Sequence, residues 1–327
     1  MPFADLRPDQ LDSFREEIPE PNDFDAFWDE SLSLSRDAGG DPRLTPVLDT
    51  LMSTVDIHDL RFPGWRGQTV AAWFITPAGA RGPLPTVITY IGYSGGRGLP
   101  TDHLGYASAG YAHLVVDSRG QGHDTPDRDE SGGPQWVQGF MTRGIQDPRE
   151  HYYRRLITDC VRAVDAARCL PRVDPDRIIV QGASQGGGLT LAVAGLAGGD
   201  IAAALPDVPF LCHFRRGAET ATEGPYTEVV DYLRHHTRDA PDRAFATLGY
   251  FDGVHFARRA QAPALFSAGL MDPVCPPSTV YAAYHRYAAP KAIKVWPFAD
   301  HAGGQGATLP AHLRWLQGQG LAPTGRD

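Results

Sequence analysis

The sequence predicts an α/β fold in which a mostly parallel central sheet is covered by helices on both faces. From residue 69 onward, short apolar runs typical of buried strands alternate with amphipathic helices. The segment 152–170 shows this most clearly, because its apolar residues recur with the 3.6-residue period of a helix and a strand-like run, 177–184, follows it. Strand–helix units of this kind form parallel sheets whose ligands bind at the carboxyl ends of the strands.

The predicted elements account for most of the chain. Strands are predicted at 69–77, 85–93, 113–120, 177–184, 202–209, 263–272 and 292–298. Helices are predicted at 22–36, 152–170, 185–197, 227–237, 243–260, 278–288 and 308–318. We interpret residues 1–327 as a single domain with an N-terminal extension, 1–65, and a proline- and glycine-rich insertion, 124–150. Loops as long as this insertion are usually functional in compact domains.

Charge and composition argue against nucleic-acid and membrane partners. The 327 residues carry a net charge of −9, and no run of lysine and arginine supplies the basic face that nucleic acids require. No apolar segment approaches the roughly 20 residues of a membrane span, and the N-terminus lacks the pattern of a secretory signal. We therefore expect a cytoplasmic protein, with four reduced cysteines at positions 160, 169, 212 and 275.

The segment "GASQG", residues 182–186, places a serine between a predicted strand and a predicted helix and fits the G-x-S-x-G pattern. In this pattern the Ser184 hydroxyl projects from a sharp turn, and Gly182 and Gly186 leave room for the neighbouring strand and helix. The helix directs free backbone N–H groups at the same point, where they stabilise negative charge. The alternative is a tight turn in which serine only caps the helix.

A nucleophilic serine requires a base and an acid that orients the base. Asp272 ends the predicted strand 263–272, although an Asp-Pro turn with Pro273 is an alternative role. His301 follows the last predicted strand in a glycine-rich loop, so it has room to reach the serine. The order serine, acid, histidine is the one that the motif requires. Asp207 and Asp252 are weaker candidates for the acid.

The other histidines that we considered have ordinary explanations. Two are expected on an exposed helix, His235 and His236. Four are expected on loops or polar helix faces, His58, His151, His285 and His312. Two are expected to be buried and hydrogen-bonded, His213 and His255.

Two backbone N–H groups are candidates for an oxyanion hole. One is that of Gln185, directly after the serine, and the other is that of Tyr93, in the loop "GYSGG" after an early strand. A simple glycine turn is the alternative for the second. Position alone suggests three residues for the substrate pocket, Phe210, Pro225 and Tyr226. We expect no metal and no cofactor, since the sequence has no H-E-x-x-H, no ligand-spaced cysteine or histidine pair and no dinucleotide fingerprint.

Several segments resemble the cephalosporin C deacetylase/acetyl xylan esterase family: "RGQG" (119–122), "FMTRGIQDPREHYYRRL" (140–156), "GASQGGG" (182–188), "DVPFLCHFRR" (207–216) and "GLMDPVCPPSTVYAAY" (269–284). The resemblance extends from about residue 20 to about residue 318. It implies an α/β-hydrolase fold and removal of acetyl groups from small esters, among them acetylated xylo-oligosaccharides and cephalosporins. It also implies roles for five residues: Ser184 as nucleophile, Asp272 as acid, His301 as base, and Tyr93 and Gln185 as oxyanion donors.

The resemblance further implies a cytoplasmic homo-hexamer, built as a trimer of dimers. The insertion 124–150 is similar to an element that contributes to subunit contacts and restricts the active-site entrance. Trp136, Phe140 and Met141 are therefore candidates for a subunit interface. The alternative is that they fold back on their own subunit.

Two positions depart from the family pattern. Ala302 stands where the family usually has a glutamate, which would be a natural partner for Arg119, so we expect an ion pair to be lost or taken over by Asp117 or another carboxylate. Ser94 stands where asparagine is usual. Two alternatives to an acetyl esterase stay open. One is a serine peptidase of the same fold, and the other, suggested by Ala302, is a non-catalytic oligomeric homologue.

Overall fold

The computed structural model describes residues 5–48, 50–129 and 132–323. The strands in these ranges are β1 Arg43–Pro46, β2 Val55–Pro63, β3 Thr69–Pro77, β4 Leu84–Tyr90, β5 Ala112–Val116, β6 Val173–Ala183, β7 Ala203–Asp207, β8 Ala264–Gly269 and β9 Lys291–Trp296. They form one sheet in the order β1-β2-β3-β5-β4-β6-β7-β8-β9. The strands β1, β2, β3 and β5 pair antiparallel, and every pair from β5 to β9 is parallel. The prediction of a mostly parallel sheet is confirmed.

The helices in the described residues are α1 Pro8–Ser13, α2 Phe24–Asp37, α3 Leu104–Ser108, α4 Tyr152–Arg168, α5 Gln185–Leu196, α6 Phe214–Thr220, α7 Tyr226–His236, α8 Pro241–Gly249, α9 Gly253–Ala257, α10 Pro277–Arg286 and α11 Thr308–Gly318. None of them combines the length and the apolar character that a bilayer crossing needs.

Both faces of the central sheet are buried. Consecutive strand residues such as Val87 and Ile88 belong to different apolar clusters, because side chains alternate between the two faces of a strand. Helices α2, α4 and α5 contribute to the larger cluster, while Leu316 of α11 and Tyr106 of α3 contribute to the smaller one. Burial on both faces explains why the central strands are apolar along their whole length.

The N-terminal extension contributes two strands that the sequence analysis did not predict. Strand β2 pairs with β3 along its entire length, from Val55 opposite Pro77 to Pro63 opposite Thr69. Its sequence, "VDIHDLRFP", alternates apolar and charged residues only imperfectly, and its burial alternates in the same way. The sheet is therefore wider than predicted.

Several predicted bounds also differ from the observed ones. The predicted helix 243–260 is two helices, α8 and α9, because the Asp252 carboxylate accepts the Val254 N–H and caps a new helix. The predicted strand 263–272 ends at Gly269, which leaves Asp272 in the following loop. Strand β4 ends at Tyr90, so Tyr93 also lies in a loop.

The described part of the insertion, residues 124–129 and 132–150, contains no helix or strand and packs on its own chain. Met141 is fully buried, so its assignment to a subunit interface is wrong and the alternative, folding back, applies to it. Phe140 packs against Tyr152, with ring centroids 4.8 Å apart, and Trp136 packs against Tyr232. Both are partly buried within the subunit.

Candidate active site

Ser184 occupies the turn between β6 and α5 with a positive φ of 59° and a ψ of −121°, a conformation that non-glycine residues rarely adopt. A β-carbon on Gly182 would lie 2.4 Å from the backbone of Gly186, and one on Gly186 would lie 2.1 Å from the Tyr90 carbonyl oxygen. Both glycines are therefore required by close backbone contacts, as the motif predicts. Backbone hydrogen bonds of Ser184 with Asp207 and Phe210 hold the turn in place.

The structure brings Ser184, His301 and Asp272 together. Nε2 of His301 lies 2.8 Å from Oγ of Ser184, and Nδ1 lies 2.8 Å from a carboxylate oxygen of Asp272. An ionised carboxylate only accepts hydrogen bonds, so Nδ1–H donates to Asp272 and Nε2 is left to accept the serine proton. The Asp272 side chain is fully buried, and its other oxygen accepts the N–H groups of Val274 and Cys275.

The two weaker candidates for the acid serve other partners. Asp207 accepts the Ser267 hydroxyl and pairs with His312, whose other ring nitrogen contacts Tyr106. Asp252 caps α9 and accepts the N–H groups of His213 and Phe214.

Three histidines differ from their predicted environment. His58, expected on a loop or a polar helix face, lies in strand β2. His151 and His312, expected on loops or polar faces, are buried. His151 is the N-cap of α4, where Nδ1 accepts the Tyr153 N–H, and His312 lies against Asp207. His213 and His255 are buried as predicted.

Of the two residues that carry the candidate oxyanion donors, Gln185 directly follows the serine in the chain and Tyr93 lines the same cavity as the serine. In the described part of the chain, neither the Tyr93 N–H nor the Gln185 N–H donates to a protein acceptor. The Gln185 side chain is fully buried and donates to the carbonyl of Ile91, while Gln121 contacts both Gln185 and the Ser94 N–H. These bonds connect the loop of Tyr93 to the start of α5.

A cavity of about 440 Å³ opens beside the serine and is lined by Gly92, Tyr93, Ser184, Gly224, Pro225, Glu228, Val274 and His301. Of the three predicted pocket residues, Pro225 lines this cavity. Phe210 and Tyr226 do not: they are fully buried and pack on each other with ring centroids 4.4 Å apart. The sequence analysis missed Glu228 and Val274, which reach the cavity only through the tertiary fold. A second cavity, of about 530 Å³, lies beside residues 16–21 and contains none of the three catalytic candidates.

Arg119 does not depend on residue 302 for a partner. Its fully buried guanidinium forms a bidentate ion pair with Asp159, at 2.7 and 2.9 Å, and a longer one with Asp127. Asp117, which we expected to compensate, instead accepts the N–H groups of Arg97 and Asp124. The carboxylates of Asp159 and Asp127 raise the pKa of Arg119 despite its burial. Ala302 therefore leaves no unpaired arginine.

All four cysteines are free thiols. Among the described residues, one group of side chains has the ligand types and spacing of a metal site: Asp272, Cys275 and His301, whose ligand atoms lie within 4.8 Å of one another. Two of the three are already bonded to each other in the arrangement with Ser184. Burial raises the pKa of the Cys275 thiol, which favours its neutral form over the thiolate that binds metals.

Residues 1–319 match the model of the acetyl xylan esterase family, AXE1. The chain belongs to this family. It is therefore a carboxylic ester hydrolase, and its fold is the α/β-hydrolase fold. An acetyl xylan esterase from Paenibacillus sp. R4 is 39% identical, with a TM-score of 0.91 over 96% of this chain and 99% of the other. Acetyl xylan esterase 1 from Thermoanaerobacterium sp. JW/SL YS485 is 32% identical, with a TM-score of 0.89 over 97% and 99%.

More distant relatives agree with this placement. The acetyl esterase Axe7A of Xylanibacter ruminicola is 29% identical over 304 residues, which cover 91% of this chain and 67% of that protein. An acylaminoacyl peptidase from Pyrococcus horikoshii is 16% identical, with a TM-score of 0.62 over 86% of this chain and 44% of the other. The last likeness shows a shared fold alone.

Proposed function

We propose that this esterase removes acetyl groups from small esters, such as acetylated xylo-oligosaccharides and cephalosporin-type acetates, with Ser184, His301 and Asp272 as its catalytic triad. The observation that carries the proposal is the unbroken line of hydrogen bonds from the serine through the imidazole to a buried carboxylate, beside an open cavity. Two relatives named acetyl xylan esterases support the substrate class. We also propose a cytoplasmic homo-hexamer, which rests on the family resemblance.

In the proposed mechanism, Ser184 Oγ attacks the acetyl carbonyl carbon while His301 Nε2 accepts the hydroxyl proton. The negative charge on the carbonyl oxygen is stabilised by the N–H groups of Tyr93 and Gln185. The ester C–O bond then breaks, and His301 returns the proton to the departing alcohol. Water attacks the acetyl-enzyme with His301 again as base, and acetate leaves as the Ser184 hydroxyl is restored. Asp272 holds the imidazole in the required tautomer throughout.

Acetate release from acetylated xylobiose and from cephalosporin C tests this proposal. The substitution Ser184→Ala is expected to lower kcat by roughly 10⁴-fold or more, as for triads that act as a unit. The matched control is Ser108→Ala, which changes an exposed serine on α3 and should leave kcat unaltered. Near-native turnover by the Ser184→Ala variant would rule out this nucleophile. A proline anilide cleaved faster than the acetyl esters would favour a peptidase.

A further inference from the structure

Glu228 lies in the active-site cavity but has no part in the proposed proton transfers. It belongs to the first turn of α7 and lines the cavity together with Ser184 and His301. Among the described residues that line this cavity, Glu228 alone carries a carboxylate. An acidic side chain beside a site that must stabilise an oxyanion calls for a physical reason.

The carboxylate of Glu228 joins three separate parts of the chain. One oxygen accepts the Tyr93 hydroxyl at 2.7 Å, and the other accepts the Met141 N–H at 3.1 Å. The Tyr93 hydroxyl oxygen in turn accepts the Phe140 N–H at 2.5 Å. The loop that carries the candidate oxyanion donor, the insertion and α7 therefore meet at one carboxylate–phenol pair.

The close fit of Glu228 against the insertion depends on a glycine. Gly139 has φ +113°, and a β-carbon there would lie 2.2 Å from the carboxyl group of Glu228. The left-handed conformation and the missing side chain let the backbone of the insertion approach the carboxylate directly. This contact fixes the position of the carboxylate and of the Tyr93 hydroxyl bonded to it.

The surroundings of Tyr93 keep its hydroxyl protonated, so that it can donate to Glu228. Burial raises the pKa of the Tyr93 hydroxyl, and the neighbouring carboxylate raises it further, so the phenol remains a donor. Burial also raises the pKa of Glu228, but the hydrogen bonds from Tyr93 and Met141 oppose this rise. Within the described residues, no lysine or arginine forms an ion pair with Glu228.

Apart from the bond to Glu228, the Tyr93 loop has few restraints on the side that faces the active-site cavity. On the far side, the Ser94 N–H is held by Gln121, and the Ile91 carbonyl is held by Gln185. On the cavity side, the Tyr93 ring makes edge contacts with Phe140 and Phe210, and its hydroxyl is bonded to Glu228. Without this bond the cavity side of the loop would be held only by the two ring contacts and the Phe140 N–H, and the Tyr93 N–H would sample more orientations.

We propose that Glu228 is a positioning residue for ester hydrolysis, which fixes the Tyr93 loop so that the Tyr93 N–H faces the developing oxyanion. The inference rests on the proposed function, because it takes the Tyr93 N–H as an oxyanion donor. A group that acts in this way stabilises the transition state and leaves ground-state binding largely unaltered, so its loss lowers kcat more than it raises KM.

The test compares Glu228→Ala, Glu228→Gln, Tyr93→Phe and the double variant Tyr93→Phe/Glu228→Ala with 4-nitrophenyl acetate as substrate. Loss of one oxyanion donor costs about 10²–10³-fold in kcat, and we expect a misaligned donor to cost about ten- to a hundredfold in Glu228→Ala, with KM changed by less than about threefold. Glu228→Gln retains one acceptor oxygen but places an amide N–H group near a donor, so kcat should fall less than in Glu228→Ala. The double variant should lose less than the product of the two single losses, because both changes remove the Tyr93–Glu228 hydrogen bond.

Controls separate positioning from unfolding and from failure of the proposed function. Rates are expressed per active site titrated with a fluorophosphonate, and Glu223→Gln, an exposed glutamate five residues earlier, is the matched control. An unchanged kcat per titrated site, a change in KM alone, or losses that multiply in the double variant would overturn the proposal. If Ser184→Ala keeps its activity, the proposed function fails. If Ser184→Ala is inactive but Glu228→Ala is unaffected, only the positioning role of Glu228 fails.

Discussion

At Gly186 the reactive turn passes directly over the end of strand β4, and a β-carbon would lie 2.1 Å from the Tyr90 carbonyl oxygen. The Tyr90 carbonyl belongs to the backbone of a central strand, so it cannot move aside as a flexible side chain could. The absence of a side chain at this position therefore decides whether helix α5 can start where it does and whether Ser184 can face His301.

Gly186→Ala is expected to destabilise the protein and to lower esterase activity. Overpacking of this kind typically costs about 1–3 kcal/mol, and here the strain falls on the nucleophile turn. The measurement is the free energy of unfolding in urea together with kcat. Gly199→Ala is the control, because no atom lies within 4 Å of a β-carbon there, and its unfolding free energy should change by less than about 1 kcal/mol. Equal stability of the two variants would contradict this account.

The three catalytic candidates could be predicted because each lies at a recognisable place along the chain, near the end of a strand. The residues that line the pocket could not, because their positions depend on tertiary contacts. Ser184 and Asp272 end predicted strands and His301 follows one, which is why their proximity could be expected. Phe210 follows a predicted strand and Tyr226 precedes a predicted helix, but nothing local determines whether a side chain points into a cavity or behind it. The pairing of Arg119 with Asp159, 40 residues away, was equally hidden.

At the level of elements, helix α4 begins at a histidine that must remain neutral. Nδ1 of His151 accepts the Tyr153 N–H, and its Nε2–H donates to the Met141 carbonyl at 3.0 Å. Burial lowers the pKa of His151 to about 3, with the Arg155 charge acting in the same direction. A proton on Nδ1 would break the cap and place positive charge at the N-terminus of the helix, where it is unfavourable.

This arrangement predicts loss of stability in mild acid. In the unfolded chain a histidine binds a proton near pH 6.5, whereas folded His151 does not until about pH 3. Between these values the unfolded state holds more protons, so the free energy of unfolding falls as the pH falls, by up to about 1.4 kcal/mol per pH unit. His151→Asn can still cap the helix but cannot bind this proton. Its unfolding free energy should therefore depend less steeply on pH between 6 and 4.

The control for this prediction is His235→Asn, which changes an exposed histidine on α7. It should leave the pH dependence of the unfolding free energy as it is in the unaltered protein. If His151→Asn shows the same slope as this control, His151 is not the buried neutral group described above.

The elements that the sequence analysis missed are those with weak local signals. Strand β2 is interrupted by charged residues on its less buried face, so its apolar alternation is incomplete. The division between α8 and α9 depends on Asp252, which caps one helix and also binds the backbone at His213 and Phe214. A single side chain with partners in two segments cannot be recognised from the pattern of either one.

At the level of the whole molecule, the insertion is attached to its own subunit by buried ion pairs. Asp127 forms ion pairs with Arg155 and Arg143. It also lies 3.5 Å from Arg119, which is itself paired with Asp159. The side chains of Asp127, Arg155 and Arg119 are nearly or fully inaccessible to solvent. This network explains how a segment with no helix or strand among its described residues, 124–129 and 132–150, is held against the rest of the subunit.

The proposed hexamer is a prediction for the whole molecule. Several large apolar side chains of the described residues are exposed on the single chain, namely Leu48, Leu51, Leu99 and Phe298, and such residues can be covered by another subunit. Light scattering after size-exclusion chromatography should give six times the mass of one chain. A monomer at micromolar concentration would contradict the hexamer without affecting the triad.

Labelling with a fluorophosphonate, followed by peptide mass spectrometry, identifies the activated serine, because only such a serine reacts rapidly with this reagent. We expect a single adduct on Ser184, with loss of esterase activity in proportion to labelling and much slower labelling in His301→Ala. An adduct on a different serine, or full labelling with esterase activity retained, would contradict this expectation.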